Sequence, residues 1–166
     1  MEYWKKNGFY IALPTSATAN QMEIRMNRFL KMHGERNAKL LHSSAWLFES
    51  EFQLEEDDVH TEAEQWLSSS KRGLLAPAAV GTVDQVMMAA MRVKYGVLRL
   101  EGLAGKVLII DEVHAYDAYM SDIIGKLLEW CKAMSVPVVM LSATLPPGRK
   151  RGMISCYAGE FISEEG

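Results

Sequence analysis

The sequence predicts an α/β layer fold with a largely parallel sheet. Short, unbroken apolar runs occur at Phe9 to Leu13, Val107 to Ile110 and Val136 to Leu141, helix-periodic segments lie between them, and Gly or Pro marks the joints. A strand without apolar and polar alternation is buried on both faces, the position of a parallel strand beneath helices.

Phe9-Tyr10-Ile11-Ala12-Leu13 reads as the first strand and stops at Pro14. A helix follows, with Thr18 and Gln21 at capping-box spacing, Met22, Met26, Phe29, Leu30 and His33 on one face, and Gly34 as the stop. Residues 49–70 open on a run of carboxylates (Glu49, Glu51, Glu55, Glu56, Asp57, Asp58) and read as a solvated acidic insertion or loop, since no metal-ligand spacing organises them. Ala78-Ala79-Val80 leads through Gly81 to a second capping-box spacing, Thr82 to Gln85. Behind it Val83, Val86, Met87, Ala90 and Met91 share a helical face, with Gly96 just past the end. Val107 to Ile110 runs into Asp111-Glu112-Val113-His114. Met120, Ile124, Leu127, Cys131 and Met134 mark the next helix, and the strand through Val136 to Leu141 ends at Ser142-Ala143-Thr144.

With 166 residues, 49% hydrophobic and 23% charged, the chain has the bulk properties of one globular domain. A net charge of −3 gives no global attraction to nucleic acid, so any phosphate contact must be local. The two cysteines, Cys131 and Cys156, form neither a CxxC nor a disulfide framework, which suits a reducing cytoplasm. No secretory signal opens the chain, and the low-charge stretch from Leu74 to Met91 is interrupted by Pro77, Gly81 and Asp84, so neither export nor a membrane span is expected.

Ligands of open parallel sheets bind beyond the carboxyl ends of the strands. Three expected strands end in polar clusters there: Pro14 through Thr18, Asp111 through His114, and Ser142 through Thr144. Hydrolysis of ATP needs a magnesium ion near the phosphates and a group that orients water. Asp111, fixed by a buried strand, suits the metal through its water shell. Glu112, pointing elsewhere by the strand's pleat, suits the nucleophile. His114 gains a role if Ser142 and Thr144 lie on the neighbouring strand, where a hydroxyl could meet the imidazole and relay nucleotide state. Arg149-Lys150-Arg151 is a compact basic cluster, read mainly as solvated surface.

The order P-T-x-A-T-A-N-Q-M from Pro14, G-T-V-D-Q from Gly81, D-E-V-H from Asp111 and S-A-T-L-P from Ser142 resembles the superfamily 2 helicases. With Leu41-His42 and Lys71-Arg72-Gly73-Leu74-Leu75-Ala76-Pro77, it looks like the CRISPR-associated helicase-nucleases of type I systems, over almost the whole chain. The resemblance implies a RecA-like P-loop NTPase core, residues 1–166 being part of the first motor domain. It implies ATP and Mg2+ as cofactors, with Asp111 and Glu112 at the nucleotide and the metal. His114, Ser142 and Thr144 match the elements coupling ATP to movement. Thr15, Thr18 and Gln21, with Thr82 and Gln85, match the elements contacting the tracked strand. Both of these segments open helices, whose free N–H groups and hydroxyls suit phosphates; a capping role alone remains the other reading of Thr18 and Thr82.

The implied partners are single-stranded DNA, a second RecA-like domain, an HD nuclease domain and the CRISPR surveillance complex. The family also needs a glycine-rich loop ending in G-K-T or G-K-S, which this sequence lacks. The chain is therefore expected to begin partway along the helix after that loop, near Tyr3-Trp4-Lys5-Lys6, to lack the phosphate-loop strand, and to have at most feeble activity alone. Three readings stand: a motor fragment of a type I CRISPR helicase-nuclease that unwinds invading DNA for degradation, a generic DExH helicase fragment, and a non-enzymatic nucleic-acid-binding remnant.

Overall fold

The computed structural model describes residues 8–34, 38–41, 73–91 and 96–159. The acidic segment 49–70, Tyr3 to Lys6, His42, Lys71 and Arg72 lie outside the described residues. In chain order the elements are β1 (Gly8–Leu13), α1 (Ser16–Met32), β2 (Lys39–Leu41), a 3-10 turn (Gly73–Leu75), β3 (Ala78–Thr82), α2 (Val83–Ala90), α3 (Gly96–Leu103), β4 (Lys106–Ile110), a second 3-10 turn (Val113–Ala115), α4 (Ala118–Ala133), β5 (Val138–Met140) and α5 (Pro147–Ala158).

The five strands form one sheet in the order β2-β3-β1-β4-β5, every neighbour parallel. β1 is therefore central, and all of its residues are buried, as its unbroken apolar run requires. Its pleat divides the core. Tyr10 and Ala12 face Leu108, Ile110 and the helices α2, α3, α4 and α5, whereas Phe9, Ile11 and Leu13 face α1. Each aliphatic side chain so enclosed contributes about 1.5–3 kcal/mol relative to exposure. On α1 the buried stripe is narrower than the spacing suggests: Leu30 is buried and Met22 and Met26 pack partly, but Phe29 is 48% exposed.

Gly96 does not follow a helix end; it begins one. The α3 it opens is a short helix without a clear sequence signal, and its buried residues include a charged one, Arg99. Lys106 is buried at the start of β4 and donates to the Leu74 carbonyl, tying the first 3-10 turn to the base of the sheet. Burial lowers its pKa to about 8. Both cysteines are free thiols, and burial pushes Cys131 up to about 12. Among the described residues no helix is long and apolar enough to cross a membrane.

Candidate functional site

Because all five strands run the same way, the chain leaves each at a single rim. The joints there are short: two residues separate β1 from α1, and none separates β3 from α2. Side chains at these joints are consequently held by the sheet.

At the end of β4 the Asp111 N–H continues the ladder to the Ala12 carbonyl at 2.9 Å. The Asp111 carboxylate accepts the Glu112 N–H through Oδ1 at 2.8 Å. Glu112 then turns left-handed, with φ 51° and ψ 43°. The strand has already ended at Ile110, so strand pleat does not set the relation of the two carboxylates; both residues line the same cleft. A left-handed glutamate costs roughly 1–2 kcal/mol, offset by the anchoring of its neighbour. Val113 is fully buried and its N–H reaches the Leu141 carbonyl at 3.0 Å, while the Leu141 N–H reaches the Ile110 carbonyl at 2.8 Å. The loops after β4 and β5 are thereby laced together.

Tyr116, 3% exposed, donates to the Asp111 carbonyl at 2.9 Å. Its burial, and then the nearby Asp111 and Glu112 charges, raise its pKa, so it stays a neutral donor under the carboxylate turn. Arg149 donates to the Tyr116 carbonyl at 2.8 Å and to Ser121 Oγ at 2.6 Å. The basic cluster is thus not one solvated patch: Arg149 is half-buried and clamps α5 onto the carboxylate loop and α4.

Ser142 Oγ lies 3.3 Å from His114 Nδ1 and 3.1 Å from the Thr144 carbonyl. The hydroxyl has one hydrogen. If it goes to Thr144, His114 must carry its proton on Nδ1 and donate to Oγ. Thr144 joins this pair through its backbone.

The cap of α1 lies three residues earlier than expected. Thr15, not Thr18, is the N-cap, and the capping box joins Thr15 to Thr18 instead of Thr18 to Gln21. The Thr18 N–H donates to Thr15 Oγ1 at 3.2 Å, and the Thr18 hydroxyl donates to the Thr15 carbonyl at 2.9 Å. Gln21 is consequently free of capping and exposed. Thr18, Gln21, Met22 and Arg25 line one side of a cleft of about 380 Å³, with Leu13, Ala17, Asp111 and Glu112 completing it.

The second capping box is likewise absent. Thr82 holds the N-cap backbone position, but its side chain makes no cap bond and the residue is 6% exposed. Its carbonyl accepts the Tyr10 hydroxyl at 3.1 Å. Gln85 is held by Arg99, whose Nη1 donates to the Gln85 side-chain oxygen at 3.0 Å and to its carbonyl at 3.3 Å. Thr82 and Gln85 stand at the neighbouring corner of the rim and do not line the cleft. Sequence reading misses Arg25, Tyr116 and Arg99; only Tyr116 has a signal, its place two residues beyond His114.

Among the described residues no three His, Cys, Asp or Glu side chains group to hold a metal. One fixed carboxylate beside an open cleft fits magnesium, which keeps most of its water and is shared with phosphates.

The sequence matches the family "DEAD/DEAH box helicase" over residues 3–151. It is 40% identical over 168 residues to the CRISPR-associated endonuclease/helicase Cas3 of Thermus thermophilus, covering 93% of this chain and 18% of that protein. The crystal structure of T. fusca Cas3-AMPPNP superposes with a TM-score of 0.79 at 40% identity, over 97% of this chain and 19% of that one. A chain in a CRISPR RNA-guided surveillance complex, pre-nicking, matches with a TM-score of 0.54 at 35% identity, over 93% of this chain and 18% of that one. The chain thus spans about a fifth of the length of these relatives, and its all-parallel sheet agrees with the expected RecA-like core. By its motifs, its fold and this match, the chain belongs to the DEAD/DEAH box helicase family, and its relatives are CRISPR-associated helicase-nucleases.

Proposed function

We propose that this chain is the rim-bearing part of the first motor domain of a CRISPR-associated helicase-nuclease, which hydrolyses ATP to move along single-stranded DNA as invading DNA is degraded. The observation that carries the reading is the shared rim: carboxylates after β4, a His114–Ser142 contact bridging β4 and β5, and the capped start of α1 across one cleft.

In this reading Glu112 polarises a water for attack on the γ-phosphorus, the bond to the ADP oxygen breaks, and Glu112 receives the water's proton. Asp111 would hold Mg2+ through its water shell, and the ion supplies neutralisation of phosphate charge. His114 and Ser142 sense the nucleotide, with Thr144 fixing the hydroxyl. Thr15 and Thr18, whose mutual capping box shapes the start of α1, are the contacts to the tracked strand on that side, with Gln21, Thr82 and Gln85 as further contacts. The wider partners belong to the whole protein: a surveillance complex is supported by one structural neighbour's setting, while a second RecA-like domain and an HD nuclease rest on the motif resemblance alone.

The test replaces the matching segment of the Thermus thermophilus relative with this chain. DNA-stimulated ATP hydrolysis is expected, and Glu112→Gln should abolish it. A folded chimera that binds DNA yet never hydrolyses ATP would overturn the motor reading and leave a binding module.

A further inference from the structure

We propose that Arg99 is a positioning residue for strand contact: it fixes the Gln85 side-chain amide so that the NH2 group is the end offered to a nucleic-acid acceptor at the rim. The proposal rests on the reading of Gln85 as a strand contact.

Arg99 lies on α3 and is 7% exposed, although charged. Enclosing a guanidinium is unfavourable unless its donors are bonded. Among the described residues its side-chain hydrogen bonds all go to Gln85, one to the backbone carbonyl and one to the side-chain oxygen. A buried cation is thus directed at a neutral amide fourteen residues earlier.

The chemistry makes this selective. A glutamine amide presents an acceptor oxygen on one side and a donor NH2 on the other, and it flips easily when unheld. A guanidinium has donors only, so it accepts one of the two orientations and rejects the other. With the oxygen held, the nitrogen is the free end. That nitrogen has no partner among the described residues and is not an enclosed unpaired atom. Phosphate oxygens and most exposed base edges offer acceptors to such a donor. The bond to the Gln85 carbonyl secures the first turn of α2 as well, and the Tyr10 hydroxyl on Thr82 secures the residue where that helix begins.

The experiment titrates a fluorescent oligothymidylate with the full chain at low salt, following anisotropy, alongside thermal melts of each variant. Arg99→Met and Gln85→Ala should each weaken binding roughly three- to tenfold, the range of one hydrogen bond. The double variant should bind no more weakly than Gln85→Ala, because the two act through one contact. Arg99→Lys, which keeps a cationic donor at this position, should recover part of the loss. Additive losses, or full affinity in Arg99→Met beside a weakened Gln85→Ala, would overturn the positioning role. If the unsubstituted chain binds no oligonucleotide, or Gln85→Ala binds like it, the strand-contact reading of Gln85 fails and takes the proposal with it.

Discussion

The Ser142 hydroxyl sits 3.3 Å from His114 Nδ1, so the loops that leave β4 and β5 touch through side chains as well as backbone. If this contact couples hydrolysis to movement, Ser142→Ala should leave ATP turnover near its starting level while lowering the distance moved per ATP. The expected coupling is about 0.5–2 kcal/mol, or about two- to thirty-fold. Nucleotides traversed per phosphate released, measured in the segment-swapped relative, checks it. A fall in ATP turnover with the distance per ATP unchanged would place Ser142 in the chemistry instead.

The chemical role proposed for Glu112 coincides with an uncommon backbone, and substitutions separate the two. Glu112→Gln keeps the side-chain shape and should slow hydrolysis by about a hundred- to ten-thousand-fold with ATP binding retained. Glu112→Asn should be as inactive yet fully stable, because asparagine tolerates the left-handed region. Glu112→Val should lose about 1–3 kcal/mol of stability. Single-turnover hydrolysis and urea unfolding read the two effects independently.

Lys106 makes stability rise with pH. Its folded pKa, about 8, lies below the ordinary lysine value of 10.5, so the unfolded state holds more protons between these limits. Raising pH from about 7.5 to about 9.5 should therefore stabilise the fold by about 2 kcal/mol from this group. Lys106→Met should flatten the slope. Urea midpoints across that window, kept below the range where tyrosines ionise, supply the measurement.

Gly81 lies where β3 passes β2 and the Tyr10 ring. A Cβ there would collide with the Leu41 carbonyl oxygen and the Tyr10 hydroxyl, both in structured surroundings. Gly81→Ala should cost about 1–3 kcal/mol, and it should also release the Tyr10 bond to Thr82. Chemical denaturation gives the first effect, and weaker oligonucleotide binding at unchanged fold content gives the second.

Much of this was legible because the decisive signals were uninterrupted. β1 and β4 are apolar runs that only a sheet buried on both faces explains, and the face of Ile124, Leu127 and Cys131 on α4 has a clear helical period. The places that resisted reading were those where a distant partner decides. Thr15 and Thr18 both suit a cap, and the two-residue joint from β1 settles which one serves. Thr82 and Gln85 have capping spacing, but Arg99 reaches in from α3 and takes the Gln85 side-chain oxygen, while the buried Thr82 side chain makes no cap bond. Arg99 itself could not be read as buried, since nothing local distinguishes it from a surface arginine. The left-handed turn at Glu112 is set by Val113 packing into the core and by backbone bonds to the loop after β5, contacts made across the sheet.

The short joints at the rim have a mechanical consequence. α1 is bolted to β1 by two residues, α2 to β3 by none, and Asp111 is pinned to Ala12. The two sides of the rim consequently share one short-jointed plate. In the proposed motor, an ATP-driven stroke is then expected to move that plate as a whole, with no swing of α1 or α2 against the sheet.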